Sequence, residues 1–152
     1  MTENKTLLKT ILNYLPKSVW NFELGHGSFI TLDLGKKIKR KEPDGCIGET
    51  GEIHLWIYLC DWALTQNNNL IVSSESDRET IPAVFKKLCS LQLLNIQNNT
   101  TDTLNIIFDN NYILSLKANT DLYEKKDDML ITFIDGKTPI AYSPEKGFYI
   151  EE

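Results

Sequence analysis

The sequence predicts an α+β protein built on a largely antiparallel sheet, a meander of hairpins, with two amphipathic helices. Three observations lead to this fold class. Apolar residues recur at helical spacing near residues 4–15 and 77–90. Short alternating segments, separated by turns rich in Asn, Asp and Gly, fill most of the remaining chain, which is typical of strands joined by hairpins. No alternation of strand, helix and strand occurs, which argues against a parallel sheet.

The N-terminal elements follow from local pattern. We expect the first helix over residues 4–15, because five aliphatic residues there form one stripe. Pro16 ends it, since the residue before a proline is disfavoured in the helical region. Residues 19–24 and 28–34 then alternate in polarity, so we expect them to form a β-hairpin across the Gly25-His26-Gly27 break.

The middle of the chain is less regular. We expect a loop at residues 36–51, with a frayed strand within it as the alternative, because five of the six residues at 36–41 are basic, and a proline and three glycines follow. The second helix, near residues 77–90, is expected to begin with a capping box formed by Ser76 and Glu79. The remaining strands are predicted at residues 70–73, 92–97, 103–108, 112–116, 130–134, 139–142 and 148–150.

The strongest strand signal covers residues 52–64. Side chains alternate between the two faces of a strand, so one face would be aliphatic. The opposite face would carry Glu52, His54, Trp56, Tyr58, Cys60 and Trp62. Two interpretations of that second face remain open. Either a helix or loop covers it, or it is a contact surface, for which we select Glu52, His54, Trp56, Tyr58 and Trp62.

Composition places the chain among globular proteins, with 41% hydrophobic and 24% charged residues in 152, and we expect one domain over residues 1–152. The formal net charge of −5 argues against binding nucleic acid through the overall electrostatic field. The basic residues at 36–41 are accordingly expected to lie on a solvated loop or on a sheet edge that lysines protect from pairing. Without a signal-peptide pattern or a membrane-spanning apolar run, we expect a cytoplasmic protein with three free cysteines and no membrane association.

Catalytic and metal-binding chemistry have weak signals. On one regular strand, His54 and Cys60 would lie about 20 Å apart, which is too far for a dyad. No pair of His or Cys residues has metal-ligand spacing, so we expect no metal and no cofactor. The most enzyme-like segment is the turn formed by Gly25, His26, Gly27 and Ser28. Its amides could face an anion, although a tight connection between strands explains the same glycines.

Two motifs resemble a family of small bacterial single-domain proteins of unassigned function, whose members carry a GxGSF hairpin and a HLWIY strand. The first motif here comprises Trp20, Leu24, Gly25, Gly27, Ser28, Phe29 and Thr31. The second comprises Gly51, Glu52, His54, Leu55, Trp56, Ile57, Tyr58, Cys60 and Trp62. The similarity spans about residues 18–90. It implies a fold topology and no catalytic role, and the size of these proteins resembles that of immunity proteins that neutralise secreted bacterial toxins.

The sequence therefore supports two hypotheses of function. The first is a non-catalytic protein-binding protein, an immunity protein that occludes the active site of a basic toxin and uses its own acidity to steer association. The alternative is a small-molecule-binding module or minor enzyme that uses the turn at residues 25–29 together with His54. This alternative requires a concave site joining His26, Ser28 and His54. The oligomeric state is left open.

Overall fold

A computed structural model describes residues 2–151, which form two helices and eleven strands in one antiparallel sheet. The helices are α1 (Thr2–Leu12) and α2 (Ile81–Leu88). The strands are β1 (Lys17–Leu24), β2 (Ile30–Lys41), β3 (Ile47–Ile57), β4 (Asp61–Gln66), β5 (Asn69–Ser73), β6 (Gln92–Thr100), β7 (Thr103–Phe108), β8 (Tyr112–Lys117), β9 (Leu130–Ile134), β10 (Ile140–Ser143) and β11 (Gly147–Ile150). The predicted fold class, α+β with a largely antiparallel sheet, is confirmed.

The strands are ordered β11-β10-β9-β3-β2-β1-β6-β7-β8-β4-β5, and β1 joins the two halves of the sheet. β1 pairs with β2 along most of its length but with β6 only through Lys17 and Ser18. Contacts between the halves show that the sheet bends at this junction. The Trp62 indole on β4 donates to the Ser28 carbonyl across 2.7 Å, and buried side chains from both halves form one hydrophobic cluster.

Both helices contribute to that cluster. Phe85 of α2 is fully buried, with its ring centre 4.3 Å from that of Phe22 and 5.5 Å from that of Trp62. Ile11 of α1 is also buried, and this helix packs mainly against β11 while α2 packs mainly against β1. Neither helix in the described part of the chain is long and apolar enough to cross a membrane.

The predicted continuous strand at residues 52–64 is wrong. β3 ends at Ile57, Leu59 adopts a left-handed φ of 58°, and β4 begins at Asp61. β3 lies between β2 and β9, whereas β4 lies between β8 and β5, so the chain crosses between the halves of the sheet here. Alternation cannot continue through this break. Cys60 and Trp62, predicted to share a face with Trp56, are instead core residues.

The predicted loop at residues 36–51 is also wrong, because residues 37–41 of β2 pair with residues 47–51 of β3. We call residues 35–51 the β2–β3 arm. It begins at a bulge between Leu34 and Lys37, where Gly35 has a φ of 74°. Most side chains of the arm are exposed on both faces. The alternation of apolar and polar residues that marks a half-buried strand is therefore absent from this hairpin.

Both helices are shorter than predicted. α1 ends at Leu12, before the Leu15–Pro16 bond, and α2 begins at Ile81 with Thr80 as its N-cap residue. The predicted capping box is wrong, because the Ser76 hydroxyl accepts the Ser73 N–H within a turn that precedes the helix. A serine followed by a glutamate three residues later does not distinguish a helix start from such a turn.

The substitution Gly51→Ala is expected to destabilise the protein by about 3 kcal/mol. A Cβ at this position would lie 2.5 Å from both the N and the O of Leu34, so the pairing of β2 with β3 would have to open. Urea denaturation followed by circular dichroism measures the change in unfolding free energy. Gly25→Ala is the matched control, since its Cβ would meet no atom closer than 3.8 Å. Equal losses in the two variants would contradict this account.

Candidate functional site

The outer face of the sheet around β3 carries five ring side chains that we call the aromatic surface: Phe29, His54, Trp56, Tyr58 and Phe133. Strand pairing places them together. His54 lies opposite Asp33 of β2 and Phe133 of β9, while Trp56 lies opposite Thr31 and Ile131 in the same two strands. Trp56 is 41% exposed, and neither helix in the described part of the chain packs mainly against β3. The second face is therefore open at Trp56, whereas Cys60 and Trp62 are buried.

The rings contact one another mostly edge to face, which is the arrangement that aromatic pairs favour. The Trp56 ring centre lies 4.9 Å from that of Phe133 at an interplanar angle of 64°. It lies 6.4 Å from that of Tyr58 at 68°. Phe29 meets Tyr58 on the far side, with 4.8 Å between the ring centres. Each ring therefore restricts the rotamers of its neighbours.

A buried carboxylate lies beneath these rings. Asp33 is 3% exposed and accepts three hydrogen bonds, from Asn21 Nδ2 at 2.8 Å, the Gly51 N–H at 2.9 Å and His54 Nδ1 at 2.6 Å. The Trp56 indole donates to His54 Nε2 across 2.8 Å. Because an indole N–H can only donate, Nε2 is the acceptor and Nδ1 carries the proton. His54 is thereby held as a neutral imidazole in one tautomer.

The environment of Asp33 favours its charged form. Burial raises the pKa of this carboxyl, but the hydrogen bonds from His54, Asn21 and Gly51 lower it by more. The pKa of Asp33 therefore lies below its ordinary value of 3.8. A buried charge needs such partners, since an unpaired carboxylate in this position would lower the unfolding free energy by several kcal/mol.

The Asp33–His54 pair has the form of the orienting half of a catalytic triad, in which the second imidazole nitrogen faces a nucleophile. Here that nitrogen faces the Trp56 indole N–H, which has no nucleophilic chemistry. His54 therefore orients the Trp56 side chain and, in this arrangement, does not accept a proton from a nucleophile. The network holds the indole in one orientation, in which Trp56 is 41% exposed.

Two open grooves flank Trp56. The larger, which we call the polar groove, has a volume of about 450 Å³. Its lining includes Arg40, Glu42, His54, Trp56, Phe133 and Asp135. The smaller, which we call the apolar groove, has a volume of about 380 Å³. Its lining includes His26, Phe29, Thr31, Trp56 and Tyr58. A single exposed indole thus forms one wall of both depressions.

Two of the five residues selected from the sequence lie elsewhere. Glu52 supports the bulge at the start of the β2–β3 arm, where its carboxylate accepts the Lys36 N–H at 2.9 Å and pairs with Lys17 at 3.5 Å. Trp62 is 2% exposed and belongs to the core. His54, Trp56 and Tyr58 do share the aromatic surface.

The sequence analysis did not select Asp33 or Phe133, and it placed Phe29 only in the alternative ligand turn. Each of the three occupies an alternate position of a predicted strand, so its orientation was available from the pattern. Only the strand order, however, shows that Phe133 lies beside His54. The burial of Asp33 has no signal in its own segment.

The turn at residues 25–28, selected as the alternative ligand site, is held by contacts within the fold. The Arg78 guanidinium donates to the carbonyls of Gly25 and Gly27, which fixes the β1–β2 connection. His26 lines the apolar groove, whereas His54 lines the polar groove. The Ser28 carbonyl accepts the Trp62 indole N–H. The second hypothesis requires one concave site that joins His26, Ser28 and His54. Neither of these two grooves joins the three residues.

The cysteines are dispersed. Cys46 is exposed on the β2–β3 arm and Cys60 is buried, where burial raises the pKa of its thiol to about 12. Cys89 lies at the end of α2 and packs against the core. Within residues 2–151, no group of three or more His, Cys, Asp and Glu side chains is placed to hold a metal ion.

Comparisons of the chain with protein-family models, with curated proteins and with solved structures find no match. The resemblance of the two sequence motifs to a small bacterial family therefore stays a prediction.

The substitution Asp33→Asn is expected to lower the unfolding free energy by about 2 kcal/mol at pH 7, because an amide cannot accept all three hydrogen bonds. The folded-state pKa of Asp33 lies below the ordinary value. The contribution of the carboxylate is therefore complete above that ordinary value and is lost as the pH falls through the folded-state pKa. Urea denaturation at several pH values should show the difference from wild type shrinking as the pH falls below 3.8. Asp121→Asn, in an exposed loop, is the control, and a difference that grows on acidification would refute the assignment.

Proposed function

We propose that this protein is a non-catalytic binding protein that docks a protein partner on the aromatic surface. The observation that carries the proposal is the exposure of Trp56 at the centre of a cluster of rings, on a sheet face that no helix covers. Binding energy at protein interfaces concentrates on a few residues, and Trp and Tyr are enriched among them. The two grooves beside Trp56 offer concave sites for side chains of the partner.

Preorganisation supports the same proposal. The hydrogen bond to His54 and the contacts with Phe133 and Tyr58 already hold the Trp56 ring in one orientation. A partner therefore does not have to immobilise this side chain, which at many interfaces costs about 0.5–1.5 kcal/mol for each ordered residue. The indole N–H and both imidazole nitrogens are paired within the chain, so burying them leaves no polar atom unsatisfied.

Charge indicates the kind of partner. The chain has a formal net charge of −5 and a pI near 5.1, which favours fast association with a basic protein and disfavours nucleic acid. We propose a cytoplasmic immunity protein that occludes the active site of a basic toxin, in keeping with the resemblance of its two motifs to small bacterial proteins. Toxins that act on nucleic acids bind phosphates with basic residues, and an acidic inhibitor would complement such a cleft.

The central test uses Trp56→Ala and the product of the gene adjacent to the one that encodes this chain. Wild-type protein should form a complex with that product and protect cells that express it. Trp56→Ala should weaken binding by about 30-fold, since a hot-spot truncation costs ~2 kcal/mol or more. Isothermal titration calorimetry measures the affinity, and circular dichroism checks that the variant is folded.

Leu70→Ala is the matched control, because Leu70 is 63% exposed but lies on the edge strand β5 in the other half of the sheet. This variant should bind as tightly as wild type. Unimpaired binding by Trp56→Ala would remove the aromatic surface from the proposal. The absence of both a complex and protection would overturn the immunity function itself.

A further inference from the structure

Two other partly exposed aromatic rings are covered by cations from this chain, but Trp56 is not. Lys37 Nζ lies 4.8 Å from the centre of the Trp20 ring, and Lys146 Nζ lies 4.6 Å from the centre of the Tyr149 ring. Between residues 2 and 151, no lysine or arginine occupies the corresponding position over Trp56. This is so although Trp56 is the most exposed of the described tryptophans. The most exposed tryptophan ring of the described residues therefore has no cation of this chain over it.

The electrostatics behind Trp56 favour a cation on that face. The face of an indole is the negative pole of its quadrupole, and tryptophan attracts cations more strongly than the other aromatic residues do. Here the indole N–H donates to His54, which in turn donates to the Asp33 carboxylate. Hydrogen bonds in such a chain polarise one another. The buried negative charge thus increases the electron density of the indole.

The polar groove beside Trp56 adds acceptors for a positively charged group. Glu42 and Asp135 line it together with two cations, Arg40 and Lys137. Arg40 is already engaged, since it donates to Asp135 at 3.1 Å and to the Thr50 hydroxyl. Asp135 is engaged by the same ion pair and Asp33 is buried beneath the rings, so Glu42 is the lining carboxylate that forms no ion pair in the described part of the chain. The site therefore complements a cationic side chain.

We propose that Trp56 receives an arginine side chain of the protein partner. The guanidinium stacks on the indole and donates to carboxylates of the polar groove, while the apolar groove accepts neighbouring apolar atoms. Arginine fits better than lysine, because a planar guanidinium stacks on an aromatic face and still donates hydrogen bonds in its own plane. This inference rests on the proposed function and specifies the chemistry of the partner.

The test is a titration of the ¹⁵N-labelled full chain with the peptide acetyl-Gly-Arg-Gly-amide, followed by NMR. The same peptide with citrulline in place of arginine keeps the shape and removes the charge. The Trp56 indole N–H and the amides of His54 and Phe133 should shift saturably. Affinity for the arginine peptide should exceed that for the citrulline peptide by about fivefold, as expected for a cation over a partly exposed indole.

Trp56→Leu keeps an apolar side chain but removes the ring, and should abolish the preference for arginine, followed at the His54 and Phe133 amides. Leu70→Ala should retain the preference. Equal affinities of wild type for the two peptides, or arginine-induced shifts confined to other parts of the surface, would overturn the inference. Different results would refute the inference and the proposed function. A partner protein that needs Trp56 without any preference for arginine refutes only the inference, whereas a preference for arginine without a partner protein refutes only the function.

Discussion

The buried charge of Asp33 is the constraint on which the aromatic surface depends. A carboxylate withdrawn from water is tolerated only when donors surround it, and here the donors come from β1, from the β3 backbone and from the His54 ring. Three neighbouring strands are thereby held in one register. The same carboxylate sets the tautomer of His54, and His54 in turn holds the indole of Trp56. One side chain thus connects sheet pairing to the orientation of the exposed ring.

Glycines make the same site possible at the backbone level. Gly51 brings its N–H to Asp33 at a place where any side chain would collide with Leu34. Gly35 supplies the left-handed turn of the bulge, against which the Glu52 carboxylate packs. From there the β2–β3 arm continues and is tied to the β9–β10 turn by the ion pair of Arg40 with Asp135. The arm therefore contributes a wall to the polar groove through Arg40 and Glu42.

The bend of the sheet explains why that surface is open. Both helices pack against the hydrophobic cluster on the inner side of the bent sheet. There Phe85 contacts rings from β1 and β4. The outer face around β3 is then free of helices, and its rings pack on one another instead. An exposed indole held by internal hydrogen bonds loses little entropy on binding. This combination of exposure and rigidity is what a docking surface requires, whereas a triad would need a nucleophile at the position that Trp56 occupies.

The sequence by itself determined the fold class, most strands and the faces of β3, because alternation and turn residues are local properties of the chain. The strands at residues 103–108 and 130–134 agree with the structure to the residue, and Ile57 points inward where Trp56 points outward. Tertiary structure alone decided that the chain changes sheet halves at Leu59 and that Trp62 is buried. It also decided that Phe133 lies beside His54, since strand order joins residues far apart in the chain. The charge of Asp33 is likewise stable in the interior only once donors from separate strands have converged on it.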